Sequence, residues 1–218
     1  MVSTLKVAIV TGGHPYDVPG LTDMFRALPG IDAYVQHLED FTADVAGRRA
    51  GYDVVLFYTM LKDTPTGEGP WYSQGIKAGL ERLGETEQGI FLMHHALLAF
   101  PDWPLWHELV GIPDYGFQGY HAGQPVRVNV AQPDHPITRG IEAWEMIDET
   151  YLMNEPGADN EILLTIDHPK SMRACGWARH YRNARVFCLQ SGHDLEAWSS
   201  EGFRAVVTRG VQWCAQQI

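Results

Sequence analysis

The chain has 218 residues, 45% hydrophobic and 20% charged, which fits one globular domain able to bury a large share of its surface. A formal net charge of −11 argues against binding nucleic acid or an anionic membrane through phosphate contacts, while leaving room for a small ligand in a local pocket. Cys175, Cys188 and Cys214 are too widely spaced for a disulfide framework or a cysteine zinc site, no segment reaches the roughly 18 apolar residues of a membrane span, and the opening residues lack a signal peptide's basic region, so a cytoplasmic protein with buried thiols is expected.

Residues 6–11 (KVAIVT) read as a buried parallel strand ending at Gly12-Gly13. The turn-rich loop 12–19 delivers His14, Tyr16 and Asp17 to that strand's end. Leu21, Met24, Phe25 and Leu28 recur at helical spacing until Pro29-Gly30 stops them. Strands are predicted at 32–38 and 52–58, a polar loop at 59–70, a helix over 71–83 and a strand at 89–93. This alternation predicts right-handed βαβ units and a flavodoxin-like three-layer α/β sandwich with a mainly parallel sheet. Ligands of such sheets collect beyond the carboxyl ends of the strands. The second half differs: a short aromatic helix at 101–110 precedes strands at 124–131, 144–153, 161–166 and 185–190, joined by turns, which predicts antiparallel additions. An amphipathic helix over 203–215 closes the chain, and with no linker in sight the whole of 1–218 reads as a single domain.

His94-His95 follow the strand GIFLM directly and precede Ala96-Leu97-Leu98, which reads as a helix start. A tight strand-to-helix turn points its residue outward at the head of the sheet. His193 stands at a second strand's end in Ser191-Gly192-His193-Asp194, where Asp194 can orient the imidazole, act as a ligand or cap a helix. In MIDETYLM, alternation puts Asp148 and Thr150 on one face and Glu149 and Tyr151 on the other. Acids inside an apolar run need partners, so Glu149 is expected in the polar centre. His14 and His121 stand in Gly-rich loops, either folded over the site or lying at the surface. The segment 168–173 offers Lys170 and Arg173 to a ligand, and His135 reads as structural. Several His, Glu and Asp groups converging on one point suit zinc or a similar divalent ion, or serve as acid and base without one.

The segments KVAIVTGGHPYD, YDVVLFYT, GIFLMHHALLAFPDWPLWHELVG, DHPITRGI, DETYLM, LLTIDHPKSMRACGWARHY, RVFCLQSGHDLEAW and FRAVVTRGVQWCA span nearly the whole chain. On these segments it resembles the ThuA-like (trehalose utilisation) family, with the class I glutamine amidotransferase-like fold. The resemblance implies that His94 stands where amidotransferases carry a cysteine nucleophile, with His193 and Asp194 as the downstream His-acid pair. Without that thiolate, glutaminase activity is not expected. Relatives place the elbow His, the His of the GHD element and an acid of the DETY element around a metal ion, which implicates His94, Glu149 and His193. Tyr16, His95 and Tyr151 join His14, His121, Lys170 and Arg173 as candidate ligand-binding residues.

Two functions compete. One is a hydrolase or isomerase acting on a sugar or sugar derivative, with His94, Glu149, His193 and Asp194 in the chemistry and Tyr16, Trp71, Trp103, Tyr151 and Trp198 available to stack on sugar faces. The other is a non-catalytic sugar or metabolite binder that kept the fold. A subunit serving a synthetase is a third. The segment 103–106 (WPLW) reads as an interface patch of a homo-oligomer or as a lid.

Overall fold

The computed structural model describes residues 4–218; residues 1–3, where the opening segment begins, lie outside the described residues. The strands are β1 (Leu5–Gly12), β2 (Ile31–His37), β3 (Val54–Thr59), β4 (Gly89–Met93), β5 (Gly119–Val130), β6 (Trp144–Leu152), β7 (Glu161–Ile166), β8 (Ala174–Tyr181) and β9 (Ala184–Leu189). They form one sheet of order β2-β1-β3-β4-β9-β8-β7-β5-β6. The first five in that order run parallel, and every pairing from β9 onward is antiparallel. Among the described residues six α-helices accompany them: α1 (Val18–Arg26), α2 (Leu38–Ala43), α3 (Ile76–Glu81), α4 (Pro104–Val110), α5 (Leu195–Trp198) and α6 (Glu201–Cys214).

Alternation along the parallel strands builds two apolar layers. Val7 and Ile9 of β1, Leu56 and Tyr58 of β3, and Phe91 and Met93 of β4 face α1, α5 and α6. Their neighbours Ala8, Val10, Val55, Phe57, Ile90 and Leu92 face α2, α3 and α4. This is the three-layer sandwich expected from strands apolar on both faces. Each fully buried Phe or Leu here stabilises the fold by about 1.5–3 kcal/mol of transfer free energy. Gly210 lets α6 lie close on the sheet, because a Cβ there would stand 2.6 Å from the Phe187 ring.

Several elements depart from expectation, among them β5, which begins at Gly119 and so takes His121 out of its expected loop into a strand. The helix predicted over 71–83 forms only at Ile76–Glu81, because Gly69-Pro70 makes a turn closed by Ser73 N donating to the Pro70 carbonyl. Trp71 is left 85% exposed. Strand β8 is not foreseen, since Arg179 and His180 break the apolar run of ACGWARHY. It completes the sheet between β7 and β9. The 103–106 segment is neither patch nor lid: Trp103 and Trp106 are both buried, and the Trp106 indole donates to the Ala96 carbonyl.

Candidate functional site

Strands β3, β4 and β9 end side by side, and the residues just beyond β4 and β9 meet residues of β6. His94 opens a 3-10 turn (His94–Leu98) directly after β4, with φ of +55°. That left-handed conformation is uncommon for a residue with a Cβ and is held only where the surroundings over-determine it. Here the ring supplies the hold. Nδ1 of His94 lies 2.7 Å from the Gln190 carbonyl oxygen, which can only accept, so Nδ1 carries the proton. In the neutral ring Nε2 is then a lone pair, and it lies 2.7 Å from the Tyr151 hydroxyl and 3.4 Å from Glu149 Oε1.

His193 is oriented in the same manner. Its Nδ1 donates to Asp194 Oδ2 at 3.2 Å, leaving Nε2 turned toward Glu149 Oε2 at 3.8 Å. Asp194 also caps α5, accepting from Glu196 N at 3.0 Å, so orienting the imidazole and capping the helix fall to one carboxylate. The loop that carries His193 is fixed from below. Asp148, fully buried, accepts from Gly192 N, His193 N and Glu149 N at 2.8, 3.1 and 2.8 Å. The Tyr58 hydroxyl donates to the His193 carbonyl at 2.7 Å.

Asp148 and Glu149 of β6 are pushed apart electrostatically. Burial raises the Asp148 carboxyl, and its three backbone N–H partners and the nearby His94 offset only part of that. Burial also raises Glu149, but the imidazoles of His94, His193 and His14 in their charged forms outweigh it, so Glu149 is held below its ordinary value.

A second pair of imidazoles borders the first. His95 lies with its ring centroid 4.1 Å from Tyr58 and stacked 4.6 Å from His14. Burial, with the neighbouring His94 and His14, pushes His95 down to about 2, so it is neutral. The Tyr58 backbone approaches the His95 ring without reaching hydrogen-bond geometry, and neither ring nitrogen has a hydrogen-bond partner among the described residues. His14 stands 6.0 Å from His193, centroid to centroid.

His94, Glu149 and His193 each offer one donor atom, and these atoms lie within 4.8 Å of one another. The observed 3.4 and 3.8 Å separations are near the roughly 3.3 Å between two donors of one tetrahedral zinc. Both imidazoles are fixed through Nδ1 by an acceptor, as metal-binding histidines are. The donor set therefore fits a borderline divalent ion.

Other candidates do not join this cluster. His121 pairs with Thr150, on the face of β6 opposite Glu149. Arg173 is exposed and pairs with Asp167 at 3.6 Å. Lys170 is exposed too, and its backbone carbonyl accepts from Thr150. Tyr16 packs edge-on against Tyr58 at 5.7 Å. Trp103 and Trp198 are buried in the core rather than presented to a sugar. Gln190, Tyr58 and Asp148 are positioning residues that the sequence did not single out for the site. A cleft of about 510 Å³ lies at the opposite end of the sheet, between Arg49, Tyr52, Arg82, Gln88 and Gln216.

A family model described as trehalose utilisation, ThuA, matches residues 15–214. The chain belongs to the ThuA family. Solved structures with the same fold include a ThuA-like protein from Parabacteroides merdae (TM-score 0.74, 19% identity, covering 99% of this chain and 91% of that one) and one from Bacteroides uniformis (TM-score 0.74, 16% identity, 98% and 92%). A glutamine amidotransferase from Thermotoga maritima is similar at TM-score 0.55 and 10% identity over 98% of this chain and 99% of that one. No curated protein matches the chain in sequence. In this ThuA-family chain the elbow carries His94, and its three cysteines are buried elsewhere. No helix among the described residues is long and apolar enough to cross a membrane.

Proposed function

We propose that this ThuA-family protein acts on a sugar or sugar derivative at a divalent metal centre held by His94, Glu149 and His193, with zinc or a similar borderline ion as cofactor. The observation that carries the reading is the pairing of two Nδ1-anchored imidazoles, each with Nε2 turned to the same carboxylate. A bound ion would supply Lewis acidity toward a sugar oxygen. Asp194 and the Gln190 carbonyl hold the imidazole tautomers, and Asp148 holds the loop at His193. His14, at the rim, contacts the substrate. The family's link to trehalose utilisation supports a carbohydrate as ligand. The buried thiols suit a cytoplasmic location.

The test is metal content after purification without added chelator. Near-stoichiometric metal that falls to background in His94→Ala and in His193→Ala supports the reading. Metal-free wild-type protein that does not take up zinc, cobalt or manganese on titration, yet binds a disaccharide without turnover, overturns it in favour of a sugar-binding protein.

A further inference from the structure

The polar atom nearest His94 Nε2 in the described contacts is not Glu149 but the Tyr151 hydroxyl, at 2.7 Å against 3.4 Å. Tyr151 is two residues beyond Glu149 on β6, so strand alternation sends both side chains to the same face. Its hydroxyl thus lies against one of the three groups of the donor cluster and on the same strand face as a second.

Ring geometry shows where that oxygen lies. The His94 and Tyr151 rings are tilted by only 29°, with centroids 4.8 Å apart. Two rings meeting head-on through a 2.7 Å bond would stand farther apart. The phenol oxygen therefore approaches from beside the Nε2 lone pair rather than along its axis. An ion held by His94, Glu149 and His193 would find the phenol oxygen close to its His94 donor.

The phenol is also fixed there. Tyr151 is 1% exposed, its backbone N–H donates to Gln190 Oε1 at 3.0 Å, and Met172 N donates to its carbonyl. Side-chain rotation away from the centre would drive the ring into packed core. The hydroxyl lies at hydrogen-bond distance from the imidazole nitrogen to which a cation would also be attracted.

We infer that Tyr151 is the fourth protein ligand of this centre, binding the ion through its phenolic oxygen as that oxygen gives up its proton to solvent. This inference rests on the metal reading above. It turns a His2Glu set into a His2GluTyr set, with two nitrogen and two oxygen donors. Such a set is harder than imidazole and carboxylate alone and favours ions that accept phenolate, including ferric iron, cupric copper and zinc.

The experiment loads the purified full-length protein with Fe(III) or Cu(II) and records the visible spectrum alongside bound metal. A ligated phenolate gives a phenolate-to-metal charge-transfer band. The wild-type protein is expected to show the band with about one metal per chain. Tyr151→Phe, which keeps the ring, is expected to lose the band while retaining metal through His94, Glu149 and His193. Tyr16→Phe, which removes a phenol packed on Tyr58 outside the cluster, is expected to keep it. Metal bound by the wild type without the band overturns the inference and leaves the metal reading intact. A band that survives in Tyr151→Phe overturns it equally. Failure of the wild type to bind either ion, or zinc, overturns both. Should Tyr151→Phe fold poorly, resonance Raman of the wild-type complex decides alone: absence of phenolate ring modes on excitation in the band refutes Tyr151 ligation.

Discussion

Asp148 and Glu149 hold His193 from its two ends. Asp148 Oδ1 accepts the His193 backbone N–H at 3.1 Å, while Glu149 Oε2 lies 3.8 Å from its Nε2. Consecutive residues on a strand face opposite ways, so one carboxylate fixes the backbone under the loop and the other meets the ring above it.

Asp148→Asn should destabilise the fold by about 1–3 kcal/mol, because the amide NH2 must face a backbone N–H that the carboxylate accepted. The penalty should depend on pH. Burial raises the Asp148 carboxyl above its ordinary 3.8. The folded state therefore binds the proton more tightly than the unfolded one. Wild type gains stability from this below 3.8 and loses it as pH rises through the folded value. The variant lacks that slope, so its deficit should shrink with rising pH. Urea unfolding of metal-free protein across the acidic range checks both; a deficit that grows with pH refutes the assignment.

Glu149→Gln should behave in the opposite sense. Burial raises Glu149, but the charged forms of the surrounding imidazoles, His94 first, hold it below 4.5 on balance. Its contribution to stability is present above 4.5 and lost as pH falls through the folded value. The difference between wild type and Gln variant should thus diminish on acidification, in the same unfolding series. Metal uptake should fall at least tenfold in the variant, since one ligand becomes neutral.

Gly192→Ala should displace the His193 loop. Gly192 has φ of +115°, and a Cβ there would stand 2.8 Å from the Phe203 ring. Strain of about 1–3 kcal/mol is expected from the backbone alone. Lower thermal stability together with weaker metal uptake is the expected pair of results. An unchanged melting temperature refutes the packing argument.

The three thiols should be unreactive in the native state. Burial pushes Cys175 up to about 12 despite its contact with Ser191 at 3.3 Å, and Cys188 and Cys214 are raised further. A thiol-specific chromogenic reagent should modify none of them at neutral pH, then all three in denaturant. Rapid native labelling of any one contradicts the packing described.

Much of the site was legible because strand ends announce themselves. GIFLM followed by His94, and RVFCLQ followed by His193, mark where apolar runs stop, and alternation in DETY sorts Glu149 from Asp148. The sheet's parallel half follows from the same runs. What was hidden depends on partners remote in the chain. Tyr58 reaches His193 across 135 residues, and the part played by Gln190 is its backbone oxygen, which no side-chain pattern reveals. His121, Lys170 and Arg173 looked suitable by type and loop context, but the register with Thr150 and the pairing with Asp167 turn them elsewhere. Strand β8 escaped because Arg179 and His180 disturb its alternation, although Trp177 and Tyr181 are buried.

The reversal of direction at β9 makes the centre a marker of completed assembly. His94 belongs to the half of the sheet whose strands come early and run parallel, Glu149 to the hairpins added later, and His193 to the strand that sutures the two. No one half holds all three donors, so a chain arrested before β9 docks would lack the proposed centre. Contacts this remote in sequence form late and slowly. Ion uptake during refolding should therefore lag behind the early return of helical signal and coincide with the last increment of tertiary structure.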